Sequence, residues 1–262
     1  MTRYFPALFV VLWSTGFIGA RMGMPYAEPM SFLSVRFGIA IMVLLAIALI
    51  SRAPWPGRTI VLHSMVVGFL LHGLYLGAVF WAIDRGAPAG ISAMIVGLQP
   101  LVVAVFSGLV LGEEISRRHW IGLAIGVFGL VLVIAPKIEF GSGGINPTNI
   151  IVLVGAMLGS SFGTLYQKKF AAHVPLRTGT IWQYFGAFVP MSLYALVFEH
   201  YSFDWNGELI FAFAWLVIGL SIISIFLLMT LIREGSVAKV SSLFYLVPAS
   251  TAIIAFFCLE RR

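Results

Sequence analysis

Nine apolar runs, each near the length of a membrane span, divide this chain of 262 residues. A helix needs about 20 apolar residues to cross the hydrocarbon core. Inside that core every backbone polar group must be satisfied by the protein, which leaves only helices and closed barrels. Barrel strands alternate every second residue. These runs are continuous, so the sequence predicts helices over Phe5–Ala20, Ser31–Ile50, Ile60–Ile83, Ala87–Leu111, His119–Ala135, Asn149–Gln167, Thr178–Phe198, Leu209–Ile232 and Ala238–Leu259. The connections are short and hold Pro, Gly and charge, as in Arg52-Ala53-Pro54-Trp55-Pro56-Gly57-Arg58. The longest junction runs from Pro136 to Pro147 and contains Gly141-Ser142-Gly143-Gly144.

Composition closes the alternatives. Charged residues make up 10% of the chain, against about 25% in an ordinary soluble domain. Hydrophobic residues reach 60%, and the mean hydropathy is +1.02. A soluble globule of this size needs more polar surface than that. A cytosolic enzyme, a nucleic-acid-binding module and a disordered chain are therefore excluded, and the fold class is an all-α integral membrane protein. The single cysteine, Cys258, excludes a disulfide framework and a cysteine-rich metal site.

The basic pI of about 9.7 reads as membrane topology, because the cations lie in short loops. Counting by span parity, Arg3, Arg52, Arg58, Arg117, Arg118, Lys168, Lys169, Arg177, Arg233 and Lys239 share the N-terminal side. Arg21, Arg85, Lys137, Arg261 and Arg262 fall on the other, and Arg36 lies inside a span. That excess places the N-terminus in the cytoplasm of an inner (plasma) membrane. Trp55, Trp120, Trp182 and Trp205 fall at span ends, where amphipathic rings prefer the interface. Arg3 and the short first run have the outline of a signal peptide, but the internal repeat requires that span to be retained.

The repeat is visible as matched stretches. Asp84-Arg85-Gly86-Ala87 precedes Ser92 and Pro100, and Arg233-Glu234-Gly235-Ser236 precedes Ser241 and Pro248. The two copies end on Leu111-Gly112-Glu113 and Leu259-Glu260, and Trp13-Ser14-Thr15-Gly16-Phe17 resembles Gly159-Ser160-Ser161-Phe162-Gly163. The period is 149 residues (Ser92 to Ser241) with a one-residue slip (Pro100 to Pro248). Five spans per unit is an odd number, so the second copy would enter the membrane inverted. Inverted repeats are a transporter architecture, with substrate held near the midplane between the copies. The expected organisation is a five-plus-five inverted-repeat helical bundle: residues 1–136 with five spans, a linker at 137–147, and 148–262 with four. A tenth span is expected and does not follow Leu259, through truncation, a frameshift or divergence.

Trp13-Ser14-Thr15-Gly16-Phe17, Arg36-Phe37, Gly86-Ala87 through Gln99-Pro100 to Leu111-Gly112-Glu113, and Ser241 to Pro248 together resemble the drug/metabolite transporter superfamily, in its ten-span branch of two EamA-type repeats. The resemblance implies ten helices, both termini in the cytoplasm, a central cavity, and export or exchange of small metabolites such as amino acids. The absent tenth span departs from that pattern, and it keeps open a second reading as a degenerate, non-transporting membrane protein or scaffold.

Charge inside hydrocarbon costs about 2.5–3.5 kcal/mol on insertion scales and tends to be functional. Arg36 is the clearest case: a fork for a substrate carboxylate or phosphate, or an arginine snorkelling to the outer surface. His72, with Tyr75 three residues on, offers proton coupling, substrate contact or a structural hydrogen bond. No carboxylate lies mid-span, which disfavours lipophilic cations and a carboxylate proton relay; a zwitterion or an anion facing Arg36 fits better. Ser92 and Gln99, then Ser160, Thr164 and Gln167, then Ser241 and Tyr245, align on helical faces. With the prolines Pro100 and Pro248 as hinges, these faces line the cavity or glue helices together. Trp13, Tyr75, Trp81, Tyr166 and Tyr245 are aromatic lining or lipid-facing packing. The expected substrate-binding set is Trp13, Arg36, His72, Tyr75, Gln99, Ser160, Ser241 and Tyr245. No phosphate-binding loop, zinc-protease motif or paired intramembrane carboxylate is present. No catalytic residue, metal or cofactor is expected, and an intramembrane hydrolase pairing His72 with Ser92 or Ser241 is the remote enzymatic alternative. The expected partners are a small-molecule substrate and the lipid bilayer, without nucleic acid, for a monomer or homodimer.

Overall fold

Nine helices account for almost all of the backbone in a computed structural model, which describes residues 4–134 and 146–259. Arg3, Lys137, Glu139, the Gly141–Gly144 junction and Glu260–Arg262 lie outside the described residues, as do most of the 137–147 linker and the side chain of Cys258. The helices are α1 (Phe5–Gly23), α2 (Pro29–Ile50), α3 (Arg58–Asp84), α4 (Ala89–Leu111), α5 (Arg117–Ile134), α6 (Pro147–Ala171), α7 (Leu176–Phe198), α8 (Gly207–Glu234) and α9 (237–259). Seven of them are long and apolar enough to cross a membrane. The other two of the nine expected spans are α5, which opens on Arg117-Arg118-His119, and α9, which a 3-10 turn interrupts at Leu243–Tyr245.

Local chemistry sets the ends. Pro29 and Pro147 sit in the first turns of α2 and α6, where the missing N–H is no loss. The side chains of Asn146, Asn206 and Ser236 accept from backbone N–H groups two or three residues on, capping α6, α8 and α9. Gly112 ends α4 at φ +68°, a left-handed conformation that suits glycine.

Two caps arrive from distant helices. The Glu199 carboxylate, just beyond α7, accepts from Met30 N at 3.0 Å, Ser31 N at 2.7 Å and Ser31 Oγ at 2.7 Å, at the start of α2. Glu113, just beyond α4, accepts from Val237 N at 2.9 Å and Ala238 N at 3.4 Å, at the start of α9. A carboxylate there meets both the free N–H groups and the positive end of the helix dipole. The two caps lie at opposite ends of the bundle.

Those ends differ in charge. The end holding the start of α1 carries Arg52, Arg58, Arg117, Arg118, Lys168, Lys169, Arg177, Arg233 and Lys239. The opposite end holds Glu28, Asp84, Glu199, Asp204 and Glu208 beside Arg21 and Arg85. At the basic end, Lys168 Nζ donates to the carbonyls of Ile232 and Gly235, both at 2.8 Å, and Arg233 to those of Ala172 and Val174. At the acidic end, Ala27 bridges Phe203, and the Asp204 N–H donates to the Tyr26 carbonyl at 2.9 Å.

In the interior, α2 pairs most extensively with α7, α3 packs on α6 and α7, α4 on α6 and α9, and α1 on α8 and α9. α5 is peripheral, with Ile121, Ile125, Phe128 and Val131 more than half exposed. α3 and α8 each contain a widened π segment, Phe69–Leu74 and Leu216–Ser224; such segments recur at functional sites. Small residues seat both. Gly16 and Gly19 of α1 receive Leu220 and Leu216, and Gly159 and Gly163 of α6 receive Leu74 and Leu71. α3 and α7 approach backbone to backbone: a Cβ at Gly68 would collide with the Gln183 carbonyl, and one at Gly186 with that of Met65.

Candidate functional site: a cavity around Arg36

The two π segments flank a small cavity in the middle of the bundle, lined by residues of α1, α2, α3, α7 and α8. Arg36 reaches it from α2 and is 3% exposed. Its Nε–H donates to Ser221 Oγ at 3.0 Å. The two terminal nitrogens have no hydrogen-bond partner among the described residues, so the fork is held by one arm and open on the cavity side. Tyr184, from α7, donates its hydroxyl to the Ser221 carbonyl within the α8 π segment. It stacks on Phe37 with ring centroids 5.4 Å apart and lies 4.7 Å from the His72 ring. Ser221 thus accepts from both Arg36 and Tyr184.

His72 sits in the α3 π segment, 1% exposed, and its Nε2 has no partner among the described residues. One turn on, Tyr75 accepts at 3.3 Å from Trp13 Nε1, and the two rings lie parallel, 6.4 Å apart. Phe17, Val79, Phe80, Leu220 and Ile225 complete an apolar wall. Among the described residues no carboxylate lines the cavity. The two described ion pairs, Arg85–Asp84 and His200–Glu28, lie at the acidic end.

Of the eight expected binding residues, Trp13, Arg36, His72 and Tyr75 line this cavity, and the other four do not. Gln99 donates instead to Thr164 Oγ1 at 3.1 Å and to the Ser160 carbonyl at 3.4 Å, joining α4 to α6. Ser160 donates its hydroxyl to its own helix, at Met157. Ser241 is fully buried with its Oγ unpartnered among the described residues. Tyr245 packs on Gly126 of α5. Pro100 and Pro248 stand where α4 and α9 lose helical regularity, after Val96 and at Leu243–Tyr245, and Pro248 packs on Gly97. Of the wider aromatic set, Tyr166 pairs with His63 Nδ1 at 2.8 Å, and the Trp81 ring carries Arg85 at 4.0 Å. Ser92 donates to the Pro88 carbonyl, so His72 meets neither serine of the remote hydrolase alternative. Among the described residues no cluster of His, Cys, Asp or Glu is placed to hold a metal ion.

Tyr184, which lines the cavity, and Ser221, which holds Arg36, were not among the expected site residues. The repeat expected from the sequence offers a signal for both. A period of 149 residues takes His72 to Ser221, and the slipped period of 148 takes Arg36 to Tyr184.

The EamA-like transporter family model matches residues 4–135 and again residues 148–262. The chain belongs to the EamA-like transporter family. Among curated EamA-like relatives, it is 28% identical over 255 residues to the uncharacterized inner membrane transporter YedA of Escherichia coli K12, covering 95% of this chain and 81% of YedA. The uncharacterized transporter YvbV of Bacillus subtilis 168 is 26% identical over 254 residues, covering 92% and 78%. A probable amino-acid metabolite efflux pump of Salmonella typhimurium LT2 is 22% identical over 195 residues, covering 73% and 62%. A solved crystal structure shares the fold, with a TM-score of 0.76 at 21% identity over 98% of this chain and 87% of its own. This EamA-like protein is therefore a multi-pass helical membrane protein whose relatives are named as transporters.

Proposed function

We propose that the protein is an inner-membrane exporter or exchanger of small zwitterionic or anionic metabolites, amino-acid-like solutes among them, and not an enzyme. The observation that carries this reading is the buried Arg36 fork, open to a central cavity and unpaired with any carboxylate. An uncompensated guanidinium at such depth is costly, and a substrate anion would relieve that cost with forked hydrogen bonds.

Transport proceeds by alternating access, the five-helix repeat (1–136) rocking against the four-helix repeat (148–262). The inverted arrangement is supported by paired features. Both π segments lie in spans three and eight, each seated on glycines of spans six and one. Both trans-caps join one unit to the other, at opposite ends of the bundle. The basic end, with the N-terminus, faces the cytoplasm.

Exchange of a radiolabelled solute panel in liposomes tests the reading. Saturable counterflow that Arg36→Gln abolishes, with the variant still monodisperse in detergent, supports it. Kinetics unchanged by that substitution would remove Arg36 from the mechanism.

A further inference from the structure

Resting on the transport reading, we infer that the cavity selects a monocarboxylate with an apolar body over the zwitterionic amino acid of the same shape. The inference follows from what the lining can and cannot satisfy. Arg36 supplies one positive charge and two free arms, which a carboxylate fills and neutralises. An α-ammonium group would then restore a net positive charge in a site with no lining carboxylate.

That ammonium also brings three N–H donors, and the wall meets them with neutral acceptors alone. The Ser221 hydroxyl oxygen already accepts from Arg36, and the Ser221 carbonyl from Tyr184. The Tyr75 oxygen accepts from Trp13. What remains is neutral: the Tyr184 oxygen, the second lone pairs of the Tyr75 and Ser221 oxygens, and the His72 imidazole. Neutral dipoles suffice for a hydroxyl, but they leave the charge of an ammonium uncompensated, which is costly in a buried site.

The Trp13 face does not fill the gap. The Trp13 ring faces Tyr75 on one side and meets Phe9 and Phe244 at 5.1 and 5.5 Å. Its π surface is engaged within the wall and not laid open to a cation. The remaining lining, Phe17, Val79, Phe80, Leu220 and Ile225, suits an apolar body.

The test uses ligands that differ at one group. Calorimetric titration of the purified full chain at pH 7 compares 3-phenyllactate, phenylalanine and phenethylamine; the first two are near-isosteres with hydroxyl in place of ammonium. The expected result is phenyllactate binding at least tenfold tighter than phenylalanine, with no binding of phenethylamine. Arg36→Gln should abolish phenyllactate binding while its thermal melt stays cooperative; if that variant fails to fold, the ligand pair on the natural chain decides alone. Phenylalanine binding as tightly as phenyllactate, or no binding of phenyllactate, overturns the selectivity. Liposome counterflow separates the two readings. Discriminating binding without counterflow keeps the selectivity and removes transport. Counterflow that prefers phenylalanine keeps transport and removes the selectivity.

Discussion

Arg36 and Ser221 meet at 3.0 Å across 185 residues of sequence, Nε–H to Oγ, and this bond aims the guanidinium fork into the cavity. The geometry works because Ser221 lies in the α8 π segment and is held from the other side by Tyr184.

Ser221→Ala removes the acceptor and leaves Arg36 free to turn. Hydrogen bonds to charged groups contribute about 1.5–3 kcal/mol, so apparent substrate affinity should fall by roughly tenfold or more, with protein yield unchanged. The measurement is KM for liposome exchange beside the natural chain; an unchanged KM would deny Ser221 this positioning role. Tyr184→Phe should give a smaller loss, since it touches the fork only through Ser221.

The α3–α7 crossing depends on two glycines. A methyl group at Gly68 or Gly186 would run into backbone carbonyls, which cannot swing aside as a side-chain tip can. Overpacking of this kind costs about 1–3 kcal/mol, so Gly68→Ala and Gly186→Ala should each melt several degrees lower in detergent. Gly155→Ala is the control: its added methyl meets nothing within 4 Å, and its Tm should hold or rise.

The trans-caps should contribute to stability through charge. Glu113→Gln and Glu199→Gln keep the shape of the contacts at α9 and α2 but remove the anion from each helix start. A loss of about 0.5–2 kcal/mol is expected for each, read as lower Tm at neutral pH. Equal melting of both variants and the natural chain would mean that the N–H groups are served as well by the amide.

At the acidic end, Glu28 accepts from the His200 backbone N–H at 2.7 Å and lies 3.3 Å from its ring. Burial alone would raise its pKa, but the bonds from His200 and Ser202 outweigh it and hold the carboxyl below its ordinary value of 4.5. A depressed folded-state pKa stabilises above the unfolded value and loses that contribution as pH falls through the folded one. The natural chain should therefore melt above Glu28→Gln near pH 7, and the difference should close in acid below about pH 4. A pH-independent difference would mean that the charge of Glu28 plays no part.

The membrane class, the helical fold and the run boundaries were legible in the sequence because the bilayer makes them local properties. A run of sufficient length and apolarity must satisfy its own backbone, and only a helix does so within one segment. Arg36 and His72 stood out for the same local reason, since charge and imidazole are costly at that depth. Which polar side chains meet is not local. Each residue turns a helix by about 100°, so a small rotation or a changed crossing decides whether a group faces the cavity, a neighbour or its own backbone. Gln99 and Ser160 share aligned polar faces with real candidates, yet the α4–α6 contact joins them to each other. Ser221 looks like an ordinary small residue in α8, yet the wide turn around it and the tight α3–α7 crossing bring it to Arg36. The sequence by itself determined that this chain crosses a membrane as helices with a cation inside a span. Only the tertiary structure decided which partners surround that cation, because helix rotation and crossing are set by packing between segments far apart in the chain.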